Sequence, residues 1–214
     1  MDGSASERAY LWTRERILDA TFAPSSMITE GEIAELVGVS RTPVREAFLQ
    51  LAGEGFLRLY PKRGAMVVPV TEADMHEVLE ARLLVEPWAA AIAAGRPDHA
   101  DLAHVLLAHV DDLDAAARAH DGAAYQDADR AFHVTIVEAT DNRLVAEFYR
   151  GLRDRQLRVG AAALALSRGR DRSILTEHRA IVDAVASGDG DLAVATVRDH
   201  VRSTQAALRL PADA

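Results

Sequence analysis

The stretch that decides the fold is residues 39–47, Val-Ser-Arg-Thr-Pro-Val-Arg-Glu-Ala. Ser40 or Thr42 can cap a helix here, and the proline falls in the first turn, where a helix does not need its N–H. Arg41 and Arg45 are four residues apart and therefore share one helix face. Arginine can pair with guanine in the major groove, and Thr42 can reach a phosphate oxygen or a thymine methyl. The stretch therefore predicts a helix whose first turn contacts DNA.

Two further helices are predicted before this stretch. Residues 7–22 have an amphipathic helical pattern, which Pro24 interrupts. Thr29 and Glu32 have the spacing of a capping box and predict the start of a second helix. Gly38 suits a left-handed helix end and stands just before the stretch. The order helix, turn, helix is therefore predicted, with the arginine-bearing helix third in the chain.

A basic hairpin is predicted next. Residues 56–60 and 65–70 are short strand-like runs, joined by a tip of sequence Pro-Lys-Arg-Gly. In this tip, Lys62 and Arg63 suit the DNA backbone or the minor groove, and Gly64 lets the chain approach closely. Three helices followed by a hairpin predict a winged helix-turn-helix.

The distribution of charge bears on the plainer alternative, a small helical domain that happens to end in a hairpin. The chain has a net charge of -9, and an acidic protein repels the phosphate backbone. Between residues 41 and 63, however, five basic residues stand against only two acidic ones. The helix start and the hairpin tip, which are expected to project, are the basic parts, and this favours DNA binding.

Composition excludes several other classes of protein. Of the 214 residues, 49% are hydrophobic, which disfavours disorder, and no uncharged apolar run is long enough for a membrane span. The N-terminus lacks the order of a signal peptide, so the cytoplasm is expected. The absence of cysteine excludes a disulfide scaffold, a thiol nucleophile and cysteine-bound zinc. A bound metal would need histidine and carboxylate ligands.

The rest of the chain has a helical period without strand alternation. The pattern predicts helices at 72–94, 98–119, 121–139, 142–166, 171–187 and 189–208. Six helices of this length can bury one core as an antiparallel bundle. The predicted fold is therefore mainly α, with an N-terminal winged helix-turn-helix domain over 1–70 and a C-terminal all-helical antiparallel bundle over 71–214.

Four side chains of the bundle are candidate metal ligands. Asp129 and His133 are four residues apart on one predicted helix, so their side chains share a face. His178 and His200 lie on the fifth and sixth bundle helices, and a bundle can bring three helices together around an internal site. One aspartate with three histidines suits Zn²⁺, Ni²⁺, Mn²⁺ or Fe²⁺. Spacing alone is a weak argument, because a histidine on a helix is more often a hydrogen-bonded core residue than a ligand.

The N-terminal motifs resemble those of the GntR family of bacterial transcription regulators. The similarity covers residues 39–47, Leu51, the Glu-Gly-Phe at 54–56 and the hairpin tip, in one register over roughly 50 residues. The chain departs from the family at Ser25, where the family usually has glycine. Some members carry a basic residue at the position of Gly31 that touches DNA, so that contact is expected to be absent here.

Residues 72–208 resemble the helical effector domain of the FadR subgroup, known as the FCD type. The motifs are Asp-Arg-Ala-Phe-His at 129–133, Glu-His-Arg-Ala-Ile at 177–181 and Asp-His at 199–200. The resemblance implies that Asp129 and the three histidines hold a divalent metal, with zinc favoured over nickel, manganese or iron. Glu177 and Asp199 directly precede ligand histidines and are expected to point outward.

Residues 80–87, Glu-Ala-Arg-Leu-Leu-Val-Glu-Pro, resemble the subgroup's first-helix motif. In that motif the arginine reaches the carboxylate of an effector, and this role would fall to Arg82, whose guanidinium matches a carboxylate as a planar fork. The alternative is a surface ion pair between Arg82 and Glu86 in the next turn, worth roughly 0.3 kcal/mol. The sequence leaves both open.

Together, these resemblances imply a regulator rather than an enzyme. The expected protein is a homodimeric repressor that binds a palindromic DNA operator and responds to a small carboxylic acid bound at the metal site, with no membrane partner. An all-helical metalloenzyme acting on a small carboxylic acid is the alternative. It leaves the basic winged segment without a role, and no general base stands near the expected ligands. A helical interaction domain without metal is a third possibility.

Overall fold

Helices make up most of the chain that this computed structural model describes, namely residues 4–152 and 171–208. The contacts divide the chain into two units, Met1–Thr71 and Glu72–Ala214.

The first unit contains three helices and three short strands. They are α1 (Ala5–Leu18), β1 (Met27–Ile28), α2 (Glu30–Val37), α3 (Arg41–Gly53), β2 (Leu57–Tyr60) and β3 (Gly64–Val67). The capping box at the start of α2 is confirmed, because the Thr29 hydroxyl accepts from the Glu32 N–H and the Glu32 carboxylate accepts from the Thr29 N–H. Gly38 ends α2 in the left-handed conformation, with φ +72°, as its position predicted.

Helix α3 is held by its buried face. Val44, Phe48 and Leu51 are almost fully buried and pack with residues of α1 and α2. Ser40 is the N-cap residue, but its side chain makes no cap hydrogen bond. The first turn of α3 is therefore positioned by packing of its apolar face rather than by a capping side chain.

Two predictions about this unit need correction. The hairpin is part of a three-stranded sheet of order β1-β3-β2, in which Met27 pairs with Met66 and Ile28 with Ala65. A strand of two residues carries no periodic pattern, so the sequence did not reveal it. The first helix ends at Leu18 rather than at residue 22, because Asp19 caps it and Ala20 takes a left-handed φ of +62°.

Gly64 is required by the sheet. Its φ is +98°, and a Cβ at this position would lie 2.2 Å from the carbonyl oxygen of Ile28 on the neighbouring strand. The structure shows a close approach of β3 to β1 at Gly64, and the approach of this residue to DNA stays a prediction. This requirement alone is sufficient to explain a glycine at the hairpin tip.

Gly64→Ala is expected to destabilise the first unit by about 3 kcal/mol, because backbone strain and the displacement of β1 add. Thermal and urea unfolding would measure the change. Gly53→Ala is the matched control, since Gly53 is helical and a Cβ there meets nothing within 4 Å. Equal stability of the two variants would contradict this account of Gly64.

The second unit is helical throughout the part that the structure describes. Its helices are α4 (Glu72–Ala94), α5 (His99–Ala119), α6 (Gly122–Glu138), α7 (Arg143–Gly151), α8 (Asp171–Ala186) and α9 (Gly190–Ala207). The predicted helix 142–166 is described as far as residue 152, and the remainder lies outside the described residues. Asp121, Asn142 and Asp189 cap α6, α7 and α9 with their side chains.

The packing of these helices creates one interior. Helix α4 packs on α9 and α6, α5 packs on α6 and α8, and α8 packs on α9. Helix α4 continues through Pro87, which is buried together with Glu86. The predicted fold class, mainly α with a winged helix-turn-helix and a helical C-terminal part, is confirmed. Among the described residues, no helix is long and apolar enough to cross a membrane.

Candidate metal centre and nucleic-acid interface

Three buried histidines meet in the interior of the second unit. His133 of α6, His178 of α8 and His200 of α9 each offer a nitrogen, and these three atoms lie within 4.8 Å of one another. The rings of His133 and His200 are stacked with centroids 5.1 Å apart, and the ring of His178 lies edge-on to both. The bundle therefore brings together three residues that are far apart in the sequence.

Each histidine directs its Nδ1 atom to a protein oxygen. The Nδ1 atom of His178 lies 2.9 Å from the carbonyl oxygen of Ile174, and that of His200 lies 2.9 Å from Glu177 Oε2. The Nδ1 atom of His133 lies 3.1 Å from Glu86 Oε2, within ion-pair distance but without the geometry of a hydrogen bond. An acceptor at Nδ1 favours the tautomer that carries its proton there, which leaves the lone pair on Nε2. This arrangement is typical of metal-binding histidines.

Asp129 completes the set of predicted ligands. Its Oδ1 atom lies 3.2 Å from the Nε2 atom of His178 and 3.9 Å from that of His133. The Nε2 atom of His178 is buried and has no hydrogen-bond partner. A cation that bound both atoms would offset the repulsion between this lone pair and the carboxylate oxygen. Three imidazole nitrogens and one carboxylate oxygen fit Zn²⁺ and its first-row neighbours.

Arg82 and Glu86 form an ion pair inside the bundle, not on the surface. The Arg82 Nε atom lies 2.5 Å from Glu86 Oε1, and the Glu86 side chain is 1% exposed. The Tyr149 hydroxyl donates to the same Oε1 atom at 2.5 Å. The Nη2 atom of Arg82 also lies 3.0 Å from His133 Nε2 and 3.4 Å from His200 Nε2. The pair expected as the alternative for Arg82 is present, but it is part of the histidine centre.

The electrostatics of the centre keep Glu86 and Asp129 ionised and favour the neutral forms of His133 and His200. Burial tends to raise the pKa of Glu86, but the adjacent Arg82 charge outweighs this and holds the pKa well below its usual range. Burial also tends to raise the pKa of Asp129, yet its contacts with His178 and His133 lower it overall. Burial lowers the pKa of His133, and it lowers that of His200 to about 3. Neutral imidazoles and an ionised carboxylate are the forms that bind metal.

Acid is expected to destabilise the chelator-treated protein as the pH falls from 6.5 toward 3. Because burial depresses the pKa values of His133 and His200, the unfolded chain binds more protons than the folded one in this window. Stability is then lost by about 1.4 kcal/mol per pH unit for each histidine that stays neutral. Urea unfolding at a series of pH values would measure the slope.

Two variants test the assignment of this slope. His200→Gln is expected to lower the slope by about 1.4 kcal/mol per pH unit and to leave the share of His133, whereas replacement of the exposed His104 by glutamine is expected to leave the slope unchanged. A stability that does not change with pH between about 6.5 and about 4.5 would contradict the buried neutral state of the two histidines.

The sequence interpretation missed three side chains of the centre and misplaced one of them. Glu177 was expected to point outward, but it binds the Nδ1 atom of His200 and accepts from Ser203 at 2.7 Å. The Glu177 carboxylate therefore contacts His200 of the neighbouring helix and not His178, which follows it in the sequence. Asp199 is exposed, as expected. Glu86 and Tyr149 were not assigned to the metal centre, although Arg82 and Glu86 are the only charged residues between Ala81 and Ala94.

The predicted DNA-contacting residues gather on one face of the first unit. Arg41 and Arg45 at the start of α3 line the same surface cavity as Lys62, Arg63 and Gly64 of the hairpin tip. Thr42 is exposed on α3 but does not line this cavity. The two arginines and the basic tip therefore lie side by side, which is the arrangement that a groove and its flanking phosphates require.

The first turn of α2 borders this basic face. Glu30 lies 3.9 Å from Arg45 in a loose ion pair whose arginine side chain is 74% exposed. The Arg41 guanidinium lies over Gly31, where a Cβ would be 3.3 Å from its Nη2 atom. Because Gly31 has no side chain, the Arg41 guanidinium occupies the space beside its Cα atom. An ion pair as exposed as that between Arg45 and Glu30 contributes little to stability. Arg41 and Arg45 therefore both remain available to a ligand.

A winged helix-turn-helix with a basic face and a helical unit with a buried histidine centre together define the architecture of a DNA-binding protein. Comparison with known families identifies it further. Residues 5–67 match the model of the bacterial regulatory proteins of the gntR family, and residues 77–203 match the FCD domain. The chain belongs to the GntR family and carries an FCD domain.

Individual relatives agree with this assignment. An uncharacterized helix-turn-helix regulator of Streptomyces ambofaciens is 30% identical over 198 residues, covering 91% of this chain and 80% of the relative. The galactonate operon transcriptional repressor of Escherichia coli (strain K12) is 26% identical over 208 residues, covering 88% of this chain and 90% of the repressor. The crystal structure of a GntR regulator from Rhodococcus sp. RHA1 has the same fold, with a TM-score of 0.76, 24% identity and coverage of 97% and 98%.

The protein is therefore a transcriptional regulator that binds operator DNA. Its family and its relatives consist of regulators and repressors, so the metalloenzyme alternative considered from the sequence is not supported. The described part of the second unit contains a cluster of three histidines able to hold a metal ion.

Proposed function

We propose that this chain is a homodimeric repressor whose affinity for a palindromic operator is controlled by a small carboxylic acid bound at a divalent metal. Residues 1–70 form the DNA-binding domain, and residues 71–214 form the effector-binding and dimerisation domain, in the cytoplasm where the DNA lies. The observation that carries the proposal is the convergence of three buried histidines, each of which offers a nitrogen within 4.8 Å of the other two.

The metal ligands in this proposal are Asp129, His133, His178 and His200. Zinc is the favoured ion, because neutral imidazole with one carboxylate is a donor set that zinc accepts. A bound divalent ion supplies a Lewis-acidic positive charge that attracts a carboxylate. Glu86 and Glu177 hold the rings of His133 and His200 in the required orientation, and such partners affect metal affinity by about 10- to 100-fold.

Arg82 is the proposed anion anchor. Its guanidinium is held by Glu86 through Nε, and its Nη2 atom reaches the histidine centre. An acid bound there can therefore meet a guanidinium and the metal ligands within one site. The relative named as a galactonate operon repressor supports a hydroxy acid, since galactonate is a carboxylic acid with neighbouring hydroxyls.

A ligand screen on purified protein would test this function. Elemental analysis is expected to find a divalent metal, and a thermal-shift screen of small hydroxy and dicarboxylic acids is expected to find one that raises the melting temperature. The corresponding neutral polyols serve as controls because they lack the carboxylate. The same acid is expected to release the protein from its operator. If the acid were to bind equally well after the metal is removed, the metal-site proposal would fail.

The outward face of α4 supports the homodimer. Between Ala81 and Ala94 only Arg82 and Glu86 are charged, and both side chains lie in the interior. Leu84 is 78% exposed and Trp88 is 42% exposed, one helical turn apart. A helix that is apolar on all sides is normally buried, so this face fits a second copy of the chain. A palindromic operator also requires two recognition helices.

Trp88→Glu is expected to dissociate the dimer. A central tryptophan at an interface contributes about 2 kcal/mol or more, and a two-fold interface contains it twice. Analytical ultracentrifugation would measure the dissociation constant. Val105→Glu, an equally exposed apolar residue of α5, is the control and is expected to leave the dimer intact. Dimers of unchanged affinity in the Trp88 variant would exclude this face.

A further inference from the structure

Arg82 contacts the same nitrogen atoms that a metal ion would use. Its Nη2 atom lies 3.0 Å from the Nε2 atom of His133 and 3.4 Å from that of His200. The Nδ1 atoms of both rings face carboxylate oxygens, at Glu86 and Glu177. Arginine can only donate, so both Nε2 atoms accept and carry their lone pairs there. The two Nη2 hydrogens are shared among His133, His200 and Glu86, and the contact with His133 is the shortest of the three.

A lone pair that accepts a hydrogen bond from a guanidinium cannot ligate a metal ion at the same time. The guanidinium also carries a full positive charge, which cannot lose its proton in this environment. Two cations a few ångströms apart in a buried site repel each other strongly. The Arg82 guanidinium and a divalent ion therefore cannot occupy the position between His133 and His200 at the same time.

The Arg82 side chain is anchored on its other side. Glu86 accepts from Nε at 2.5 Å and from Nη2 at 3.3 Å, and Glu86 itself is held by the Tyr149 hydroxyl at 2.5 Å. The Nε contact is the shorter one and does not involve the histidines. Because the guanidinium is one rigid plane, Nη2 can leave the rings only if the whole group pivots about the hydrogen bond from Nε to Glu86 Oε1. Changes in the aliphatic torsions of Arg82 allow this pivot while the ion pair through Nε persists.

We propose that Arg82 and a divalent cation compete for the Nε2 atoms of His133 and His200, so that binding of the cation turns Arg82 Nη2 away from the rings and makes it available to an acid. This inference rests on the proposed function of the site. It sets an order in which the cation binds first and the acid second. By linkage, an acid that holds Arg82 away from the rings also tightens binding of the cation.

The first test measures binding of Zn²⁺ alone, by competition with a chromophoric chelator, in two full-length variants. Glu86→Gln keeps the rival guanidinium, and Arg82→Met combined with Glu86→Gln removes it without leaving a buried unpaired charge. The double variant is expected to bind Zn²⁺ at least about tenfold more tightly than the single variant. Equal or weaker binding by the double variant would overturn the competition.

The second test follows the unmodified protein by NMR of its ¹⁵N-labelled arginine side chains during titration with Zn²⁺. The Arg82 Nη signals are expected to shift, and the Nε signal, held by Glu86, is expected to move much less. Zn²⁺ binding without a change at Arg82 Nη would overturn the inference and leave the proposed metal site standing. If the unmodified protein does not bind Zn²⁺, Ni²⁺, Mn²⁺ or Fe²⁺, the proposed metal site itself fails.

Discussion

Arg45→Ala and Arg41→Ala are each expected to abolish specific binding to the operator. A bidentate arginine–guanine contact contributes about 1–3 kcal/mol, and a dimer makes the contact once in each half-site. The loss is therefore about 2–6 kcal/mol, or about 30-fold to more than 10⁴-fold in affinity. Gel-shift titration and footprinting at a fixed salt concentration would measure it, since affinity for DNA depends strongly on salt.

The fold should survive these substitutions. The Arg45 side chain is 74% exposed and its ion pair with Glu30 spans 3.9 Å, so the melting temperature is expected to stay within the range of ordinary surface changes. Arg118→Ala is the matched control, because the Arg118 side chain of α5 is also 74% exposed and ion-paired. Footprints of normal strength from both α3 variants would reject the assignment of α3 as the recognition helix.

A change at the hairpin tip should have a different effect. Lys62 is exposed in the turn between β2 and β3 and is expected to contact phosphate rather than base edges. The affinities of Lys62→Ala and Arg45→Ala can be compared on the specific operator and on a mutated operator. This comparison distinguishes a residue that contacts the DNA backbone from one that reads the base sequence. Equal losses on both DNAs are expected only for the lysine variant.

His178→Ala is expected to remove metal binding and the response to the acid together. The His178 side chain is fully buried, and its Nε2 atom faces Asp129 at 3.2 Å, so no other residue can replace its nitrogen. The metal affinity should fall by more than about 100-fold, since even partners of ligands change affinity by 10- to 100-fold. Bound metal per chain and the acid-induced shift in melting temperature would measure both effects.

A histidine outside the centre provides the control. His109 of α5 bonds the Thr135 hydroxyl at 3.1 Å and is not among the clustered histidines. His109→Ala is expected to keep the metal and the acid response, and both variants should still bind the operator when no acid is present. Unchanged affinity of the His178 variant for the acid would refute binding through the metal.

Local features of the chain were predictable because they depend on neighbouring residues. The capping box of Thr29 and Glu32, the left-handed Gly38 and the start of α4 follow from interactions within one or two turns. Strand β1 was not predictable, because two residues carry no pattern and the strand exists only through its pairing with β3. The structural requirement for glycine at position 64 depends on the same pairing.

The centre shows the same division. Asp129 and His133 share a face because they lie one turn apart on one helix, but the orientation of Glu177 depends on which helix packs beside α8. The position of Glu177 directly before His178 suggested that its side chain contacts none of the ligand histidines. In the structure, the packing of α9 on α8 brings His200 within hydrogen-bond distance of Glu177. Likewise, a pair one turn apart on α4 can be exposed or buried, and only the packing of α6, α7 and α9 buries Arg82 and Glu86.

The amino-acid order alone determined the succession of helices, the basic recognition segment and the candidate ligands, because hydrophobic period, capping and turn chemistry act over a few residues. The tertiary structure decided which side chains of separate helices touch, and therefore which charges lie next to the histidines. These properties depend on distances of a few ångströms between residues up to 118 positions apart. Packing of the whole unit sets such distances, and no local pattern encodes them.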